Sequence, residues 1–299
     1  VLAEVYPTLE DIGAWYERGT RYGIRMDPAD CLLATSVEDV PLTWMDSRVD
    51  GWVVTPRRGK PVEVNALWYN ACAAMAWFAT RLKRPAEAHE HRTCEIELSF
   101  QRFWNPETGC LFDVLDGPEG NDAAVRPNQL LAVSLPVSPL PADQQRAVLE
   151  VCAGRLVTSH GLRSLAPADS RYRGTCAGDR RTREVSRHQG AAWTWLLPHY
   201  ALAHARVYGR REEALSFLDP LAQLIGACGV GTLPEAADGD APFAPSGCIA
   251  RAWSVGEALR AWHELAAASP GAARAARGAV RTRSRARPAT RRRAVARSR

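Results

Sequence analysis

Apolar positions recur at helical spacing along most of this chain. Residues 2–18 place Leu2, Val5, Leu9, Ile12 and Trp15/Tyr16 on one face, which predicts a first helix. A short irregular or β stretch follows, around 23–54. Residues 63–82 are apolar almost all round, as a helix buried on most sides would be. Residues 86–103 are amphipathic instead, with Ile96, Phe100 and Phe103 at helical spacing and charge opposite. The alternation then repeats. Residues 126–135 read as an apolar helix, 141–157 as an amphipathic one with Pro141 in its first turn, and 187–207 as apolar. Residues 211–227 carry a stripe of Ala214, Phe217, Leu218, Leu221, Leu224 and Ile225, and a last helix covers about 249–266. Buried helices alternating with one-sided ones suit two concentric layers. The expected fold is all-α, an (α/α) toroid of about four helical hairpins with short β or irregular loops at its mouth.

Four long polar stretches, 43–65, 116–129, 162–190 and 231–248, each precede an apolar segment. If the apolar helices run parallel in an inner ring, these loops meet at one end, and long loops on a rigid scaffold are usually functional. They bring Trp44, Trp52, Trp68, Trp193 and Trp195 together with Asp46, Asn65, Asn70, Arg126, Asn128, Gln129, His188, Gln189, Glu235, Asp238 and Asp240. Indole faces beside amides and carboxylates suit a neutral polyol such as a sugar. There is no glycine-rich phosphate cradle after a strand and no GxSxG elbow. His89-Glu90-His91 lacks the HExxH spacing and reads as a solvated helix face.

Composition changes the picture in one place. The formal charge of +5 suggests a polyanion partner, yet residues 271–299 hold eleven arginines and no acid. The remainder has 27 Lys+Arg against 33 Asp+Glu, so the helical body is acidic. The expected division is an (α/α) toroid domain over 1–268 and a basic disordered tail over 269–299, with no aromatic side chains among the tail arginines to favour nucleic acid. The eight cysteines form no CxxC motif, no apolar run is long enough to span a membrane, and no signal peptide is visible, so a cytoplasmic location is expected. The first residue is not Met, which suggests a missing N-terminal part.

Six stretches in order resemble the C-terminal, amylo-α-1,6-glucosidase domain of glycogen debranching enzymes, one of the six-hairpin glycosidases. They are TWMD, VEVNALWYNA, RPNQ, GLRSL with Tyr172-Arg173-Gly174, RHQGAAWTWLL, and DGDAP with GCIARAWSVGEALRAW. The resemblance runs from about residue 1 to 266. It implies a toroid of six hairpins, so that about two are absent here. It implies hydrolysis of the single α-1,6-linked glucose at a trimmed branch point of an α-glucan, glycogen or limit dextrin. It also implies an inverting mechanism, with two carboxyl groups roughly 6.5–9.5 Å apart.

Asp46 matches the family's general-acid position, and flanking Trp44 and Met45 are expected to desolvate it and raise its pKa. For the general base the candidates are Glu235, Asp238 and Asp240; Glu235 is preferred for its reach and motif position, with Asp238 second. The other named residues, Trp44, Asn65, Trp68, Asn70, Arg126, Asn128, Gln129, His188, Gln189, Trp193 and Asp240, are candidate sugar contacts. Of Trp193 and Trp195, one is expected to line the cavity and the other to pack. This chemistry needs no metal or organic cofactor. The rival readings are another α-glucosidase of this fold, such as a trehalase or glucoamylase relative, and an inactive α-glucan-binding fragment.

Overall fold

Long apolar stripes become long helices, and proline and glycine cut the rest. The computed structural model describes residues 1–267, and the basic tail lies outside them. Among the described residues the helices are α1 (Leu2–Arg18), α2 (Val62–Arg81), α3 (Glu87–Phe100), α4 (Leu131–Ser134), α5 (Ala142–Arg155), α6 (Arg180–Gln189), α7 (Leu196–Tyr208), α8 (Arg211–Ser216), α9 (Asp219–Ala227) and α10 (Ala252–Ala267). None is long and apolar enough to cross a membrane.

The packing follows the pattern with informative departures. Ile96, Phe100 and Phe103 are fully buried, as their spacing predicts, although the helix tightens into a 3-10 turn at Gln101–Phe103. In α2 one face of the first three turns is buried, through Val62, Asn65, Ala66, Trp68, Tyr69 and Cys72, but Leu67 is exposed and Trp77 near the far end is 59% exposed. The face expected to anchor α1 is largely open: Val5, Ile12 and Trp15 are exposed, and Tyr6 is the buried residue.

Three expected helices are broken. Segment 126–135 is a 3-10 turn, Pro127–Leu130, followed by the single turn α4. Arg126 is extended, Pro127 supplies no N–H, and Leu135 is pushed into extended backbone by Pro136. Segment 187–207 splits into the end of α6, a strand at Ala192–Trp193, and α7. Gly190 makes the break. A side chain there would run into the Arg173 carbonyl, so the helix stops where two backbones touch. His188 therefore closes a helix, whereas the pattern places it at the start of one. Stretch 211–227 also divides, with Pro220 in the first turn of α9.

The core runs through α7, whose residues Leu196 to His204 are all buried, and gathers the inner faces of α2, α3, α4, α5 and α10. Strands of two to four residues stitch the loops together. The largest set is a four-stranded antiparallel sheet of Leu162–Arg163, Ala192–Trp193, Ala236–Ala237 and Pro245–Ser246. Its register sets Trp193 opposite both Leu162 and Ala236. A second sheet pairs Lys60–Pro61 with a hairpin, Val114–Gly117 and Gly120–Asp122.

Candidate active site

The four-stranded sheet brings Glu235 to a cleft. Its N–H donates to Cys248 O (2.8 Å) and its carbonyl accepts from Thr194 N (3.3 Å), extending the ladder on both sides. The side chain is almost fully buried. One carboxylate oxygen faces Arg187 Nη2 at 2.9 Å and Arg251 Nη1 at 3.5 Å, and the other accepts the Cys248 N–H at 3.1 Å. Gly247, at φ +73°, lies against this carboxylate, and a Cβ there would stand 2.5 Å from Glu235 Oε2.

Asp46 lies on the wall of the same cleft, a space of about 410 Å³. Trp44, Trp193 and Trp253 supply its aromatic surface, and Glu184 and Arg187 of α6 its polar edge. α6 is capped by Asp179, whose carboxylate accepts the Thr182 N–H at 2.8 Å. The Asp46 side chain is 73% exposed, while neighbouring Met45 is wholly buried. His188 Nε2 stands 3.7 Å from Asp46 Oδ1, and this contact holds the Asp46 carboxyl below the usual carboxylate range. That reverses the expectation of a raised pKa: Met45 points into the core and leaves the Asp46 side chain in water. Burial pushes the His188 imidazole down, so it is neutral at pH 7.

Trp44 is the centre of an aromatic cluster. It meets His188, Trp193 and Trp195 edge-on at 5.1–5.3 Å between ring centroids. His188 stacks flat on Trp193 at 5.1 Å, and Trp195 on Trp253 at 4.1 Å. Trp193 faces the Asp46 cleft, whereas Trp195 packs and, with Trp44 and Trp253, walls a second cavity of about 570 Å³.

Trp44 is held from below by a buried polar chain. Its indole N–H donates to Asn128 Oδ1 at 2.7 Å, and Asn128 Nδ2 donates to Asp113 Oδ1 at 2.7 Å. Asp113 also accepts from Arg57 Nε (2.7 Å) and Nη2 (3.0 Å), while Arg57 forms a bidentate pair with Glu63. All of these groups except the Trp44 ring are buried.

Several expected sugar contacts are occupied elsewhere. Asn65 is fully buried, bridging the Leu33 N–H, the Leu33 carbonyl and the Pro61 carbonyl. Asn70 ties α2 to Val137 through both ends of its amide. Trp68 donates to Cys31 O and packs on Tyr16 in the core. Gln129 bonds the Leu111 N–H and the Arg126 carbonyl. Arg126 is buried, donating to the carbonyls of Ser164 and His188 and to Gln189 Oε1. Asp238 accepts the Cys176 N–H and Asp240 the Tyr172 hydroxyl, so both pin the 172–176 segment and neither lines the Asp46 cleft. Trp52 lies outside the cluster, under Arg181.

Sequence reasoning misses Arg57, Asp113, Glu184, Arg187, Arg251 and Trp253. Arg187, Arg251 and Trp253 sit inside two of the motif stretches, and that is their signal. Asp113 has none, being a single acid among apolar neighbours.

A model of the family described as amylo-alpha-1,6-glucosidase matches residues 1–260. No curated protein sequence matches the chain. Among solved structures it is similar to the GH63 mannosylglycerate hydrolase from Thermus thermophilus. In complex with Tris, that enzyme matches at TM-score 0.61 and 15% identity, over 88% of this chain and 70% of that one. Its glucose complex matches at TM-score 0.52 and 18% identity, over 69% and 45%. An uncharacterized conserved protein from the same organism matches at TM-score 0.51 and 18% identity, over 69% and 46%. The chain thus spans under half the length of these last two. The mannosylglycerate hydrolase has the (α/α)-toroid fold of the six-hairpin glycosidases, and this chain belongs to the amylo-alpha-1,6-glucosidase family of glycoside hydrolases.

Proposed function

We propose that this chain carries the hydrolytic site of an amylo-α-1,6-glucosidase acting on branch points of glycogen or limit dextrin. The observation that carries the reading is that Asp46 and Glu235 line one cleft of about 410 Å³ walled by three indoles. In this reading Asp46 protonates the departing glycosidic oxygen. Glu235 accepts a proton from the water that attacks C1 on the opposite face, and the anomeric centre inverts. The two guanidinium groups of Arg187 and Arg251 orient the Glu235 carboxylate toward that water. Asp46 is ionised in the open cleft and must be protonated to act. A sugar covering its exposed carboxyl removes water and raises its pKa, so substrate binding itself arms the acid. Trp44, Trp193 and Trp253 cover C–H faces of the sugar, and His188 positions Asp46. The helices are read as about four of six hairpins, in a cytoplasmic enzyme working without metal or organic cofactor.

The similarity to mannosylglycerate hydrolases favours a second reading, hydrolysis of a small glycoside with a short acidic aglycone. The test is product release from limit dextrin, mannosylglycerate, trehalose and maltose in parallel. Glucose from limit dextrin is expected, and Asp46→Asn and Glu235→Gln should each lower its rate by roughly 10²–10⁴-fold. Unchanged release in Asp46→Asn would overturn the acid assignment. Dextrin binding without release would make the chain an α-glucan-binding fragment.

A further inference from the structure

The second cavity, of about 570 Å³, adjoins the Asp46 cleft and shares Trp44 and Trp253 with it. The planes of these two indoles stand at 88°, with 6.5 Å between centroids, so they form a corner common to both spaces. Trp253 stacks on buried Trp195 at 4.1 Å and is itself 37% exposed, which leaves its other face open to a ligand. Beyond the corner the cavity is walled by Leu67 of α2, by Leu131 and Leu135, and by Glu257 and Arg260 of α10. Leu67 is 48% exposed.

Glu257 is the polar group that faces this space. His199 Nε2 at 3.3 Å, Arg260 Nε at 2.9 Å and Arg260 Nη2 at 2.6 Å all meet its Oε2. His199 is fixed on its other side by the Ser134 hydroxyl at 2.8 Å. Glu257 Oε1 accepts no hydrogen bond among the described residues, and the side chain is 20% exposed, so an entering hydroxyl can reach it. Burial alone would raise the Glu257 carboxyl, yet His199 and Arg260 draw it down to about 2, which makes it a charged acceptor at neutral pH. Arg260 is committed to Glu257 and, through Nη1, to Glu264 at 3.0 Å. The one guanidinium of the cavity is thus already neutralised, and the free carboxylate oxygen disfavours an acidic aglycone. An open indole face, aliphatic walls and one carboxylate acceptor match a neutral sugar, whose C–H face stacks and whose hydroxyl donates.

We propose that this second cavity is the aglycone subsite, holding glucose units of the α-1,4-linked chain that carries the branch, with Trp253 as their stacking platform and Glu257 Oε1 as a hydroxyl acceptor. The proposal rests on the glucosidase reading of the Asp46 cleft, which takes the branch glucose itself. The shared Trp44–Trp253 corner then lies between the sugar that leaves and the chain that remains. The volume is that of a site for a ligand larger than one sugar, and a three-carbon acid would leave most of it empty.

The experiment titrates the full 299-residue chain with maltotetraose, an unbranched α-1,4-glucan, by calorimetry. Beside it run glucose release from limit dextrin and fluoride release from α-glucosyl fluoride, whose single sugar occupies the Asp46 cleft alone. Leu67→Arg puts a longer, strongly hydrated side chain into the cavity from an exposed helix position outside that cleft. Glu257→Gln removes the charged acceptor. Leu67→Arg is expected to weaken maltotetraose binding at least about tenfold, and to raise KM for limit dextrin at least about tenfold more than KM for α-glucosyl fluoride. Glu257→Gln should weaken maltotetraose in the same direction. If its thermal melt falls, Leu67→Arg carries the test, because its site is not packed in the core. No maltotetraose binding by the parent chain, or undiminished binding in Leu67→Arg, overturns the subsite whether or not the Asp46 cleft is hydrolytic. Binding weakened by Leu67→Arg in a parent chain that releases neither glucose nor fluoride supports the cavity as an α-glucan site and overturns the glucosidase reading instead.

Discussion

Replacing Asp113 by Asn tests whether the buried polar chain supports Trp44. The substitution keeps the shape of the side chain but removes its charge and turns one acceptor oxygen into a donor NH₂. Three donors converge on the carboxylate: Arg57 Nε at 2.7 Å, Arg57 Nη2 at 3.0 Å and Asn128 Nδ2 at 2.7 Å. After the change at least one of them meets another donor. The buried guanidiniums of Arg57 and Arg126 are then left with Glu63 alone as a bonded carboxylate. Breaking a buried pair in this way typically costs about 3–5 kcal/mol. For a chain of this size that corresponds to a fall in melting temperature of roughly 5–9 °C. Differential scanning calorimetry reads the fall, and urea denaturation with an unchanged slope confirms it as stability. The double variant Arg57→Gln/Asp113→Asn should lose less than the two single losses combined, with a coupling of at least about 1 kcal/mol. A fall below about 2 °C in Asp113→Asn would refute the reasoning, since the charges would then be compensated without this carboxylate.

Two further predictions concern the proposed catalytic carboxylates, Asp46 and Glu235. The His188 contact is the largest influence lowering the Asp46 pKa, so His188→Gln removes that influence and the pKa rises. The general acid is active when protonated, so the alkaline limb of kcat/KM should move to higher pH in the variant; an unmoved or lowered limb would refute the assignment. Gly247→Ala places a methyl 2.5 Å from Glu235 Oε2 at a backbone φ of +73°, so it should reduce kcat by about tenfold or more with a smaller effect on KM; full activity would show that Glu235 is not held where catalysis needs it.

Long helices are legible in the sequence because their stripes run for several turns. The Ile96, Phe100 and Phe103 spacing identifies a buried face without reference to anything else. The loop sheet is not legible, because a two-residue strand such as Ala236–Ala237 contains no alternation to read. At the site, ordered motifs point to Asp46, Trp44, Trp193 and Glu235, and the structure gathers these four around one cleft. Asn65, Asn70 and Gln129 look the same in the sequence, since an amide that bonds a sugar hydroxyl is the same amide that bonds a backbone carbonyl. Which of these it does depends on what the fold places opposite it. Asp113 lies 56 residues from Arg57 in sequence, and no local pattern connects them.

The four-stranded loop sheet also constrains how this cleft can change over evolutionary time. Side chains alternate faces along each strand, so inserting one residue between the Trp193 and Glu235 strands without shifting the pairing is absorbed in α7–α9 or the turns beyond them. An insertion inside the pairing itself would turn Glu235 to the opposite side of the sheet and away from Asp46. New substrate preferences are therefore reached most easily by exchanging side chains on a fixed ladder, or by lengthening segments outside it such as 238–244. Changes of length within the paired residues are the route most nearly closed.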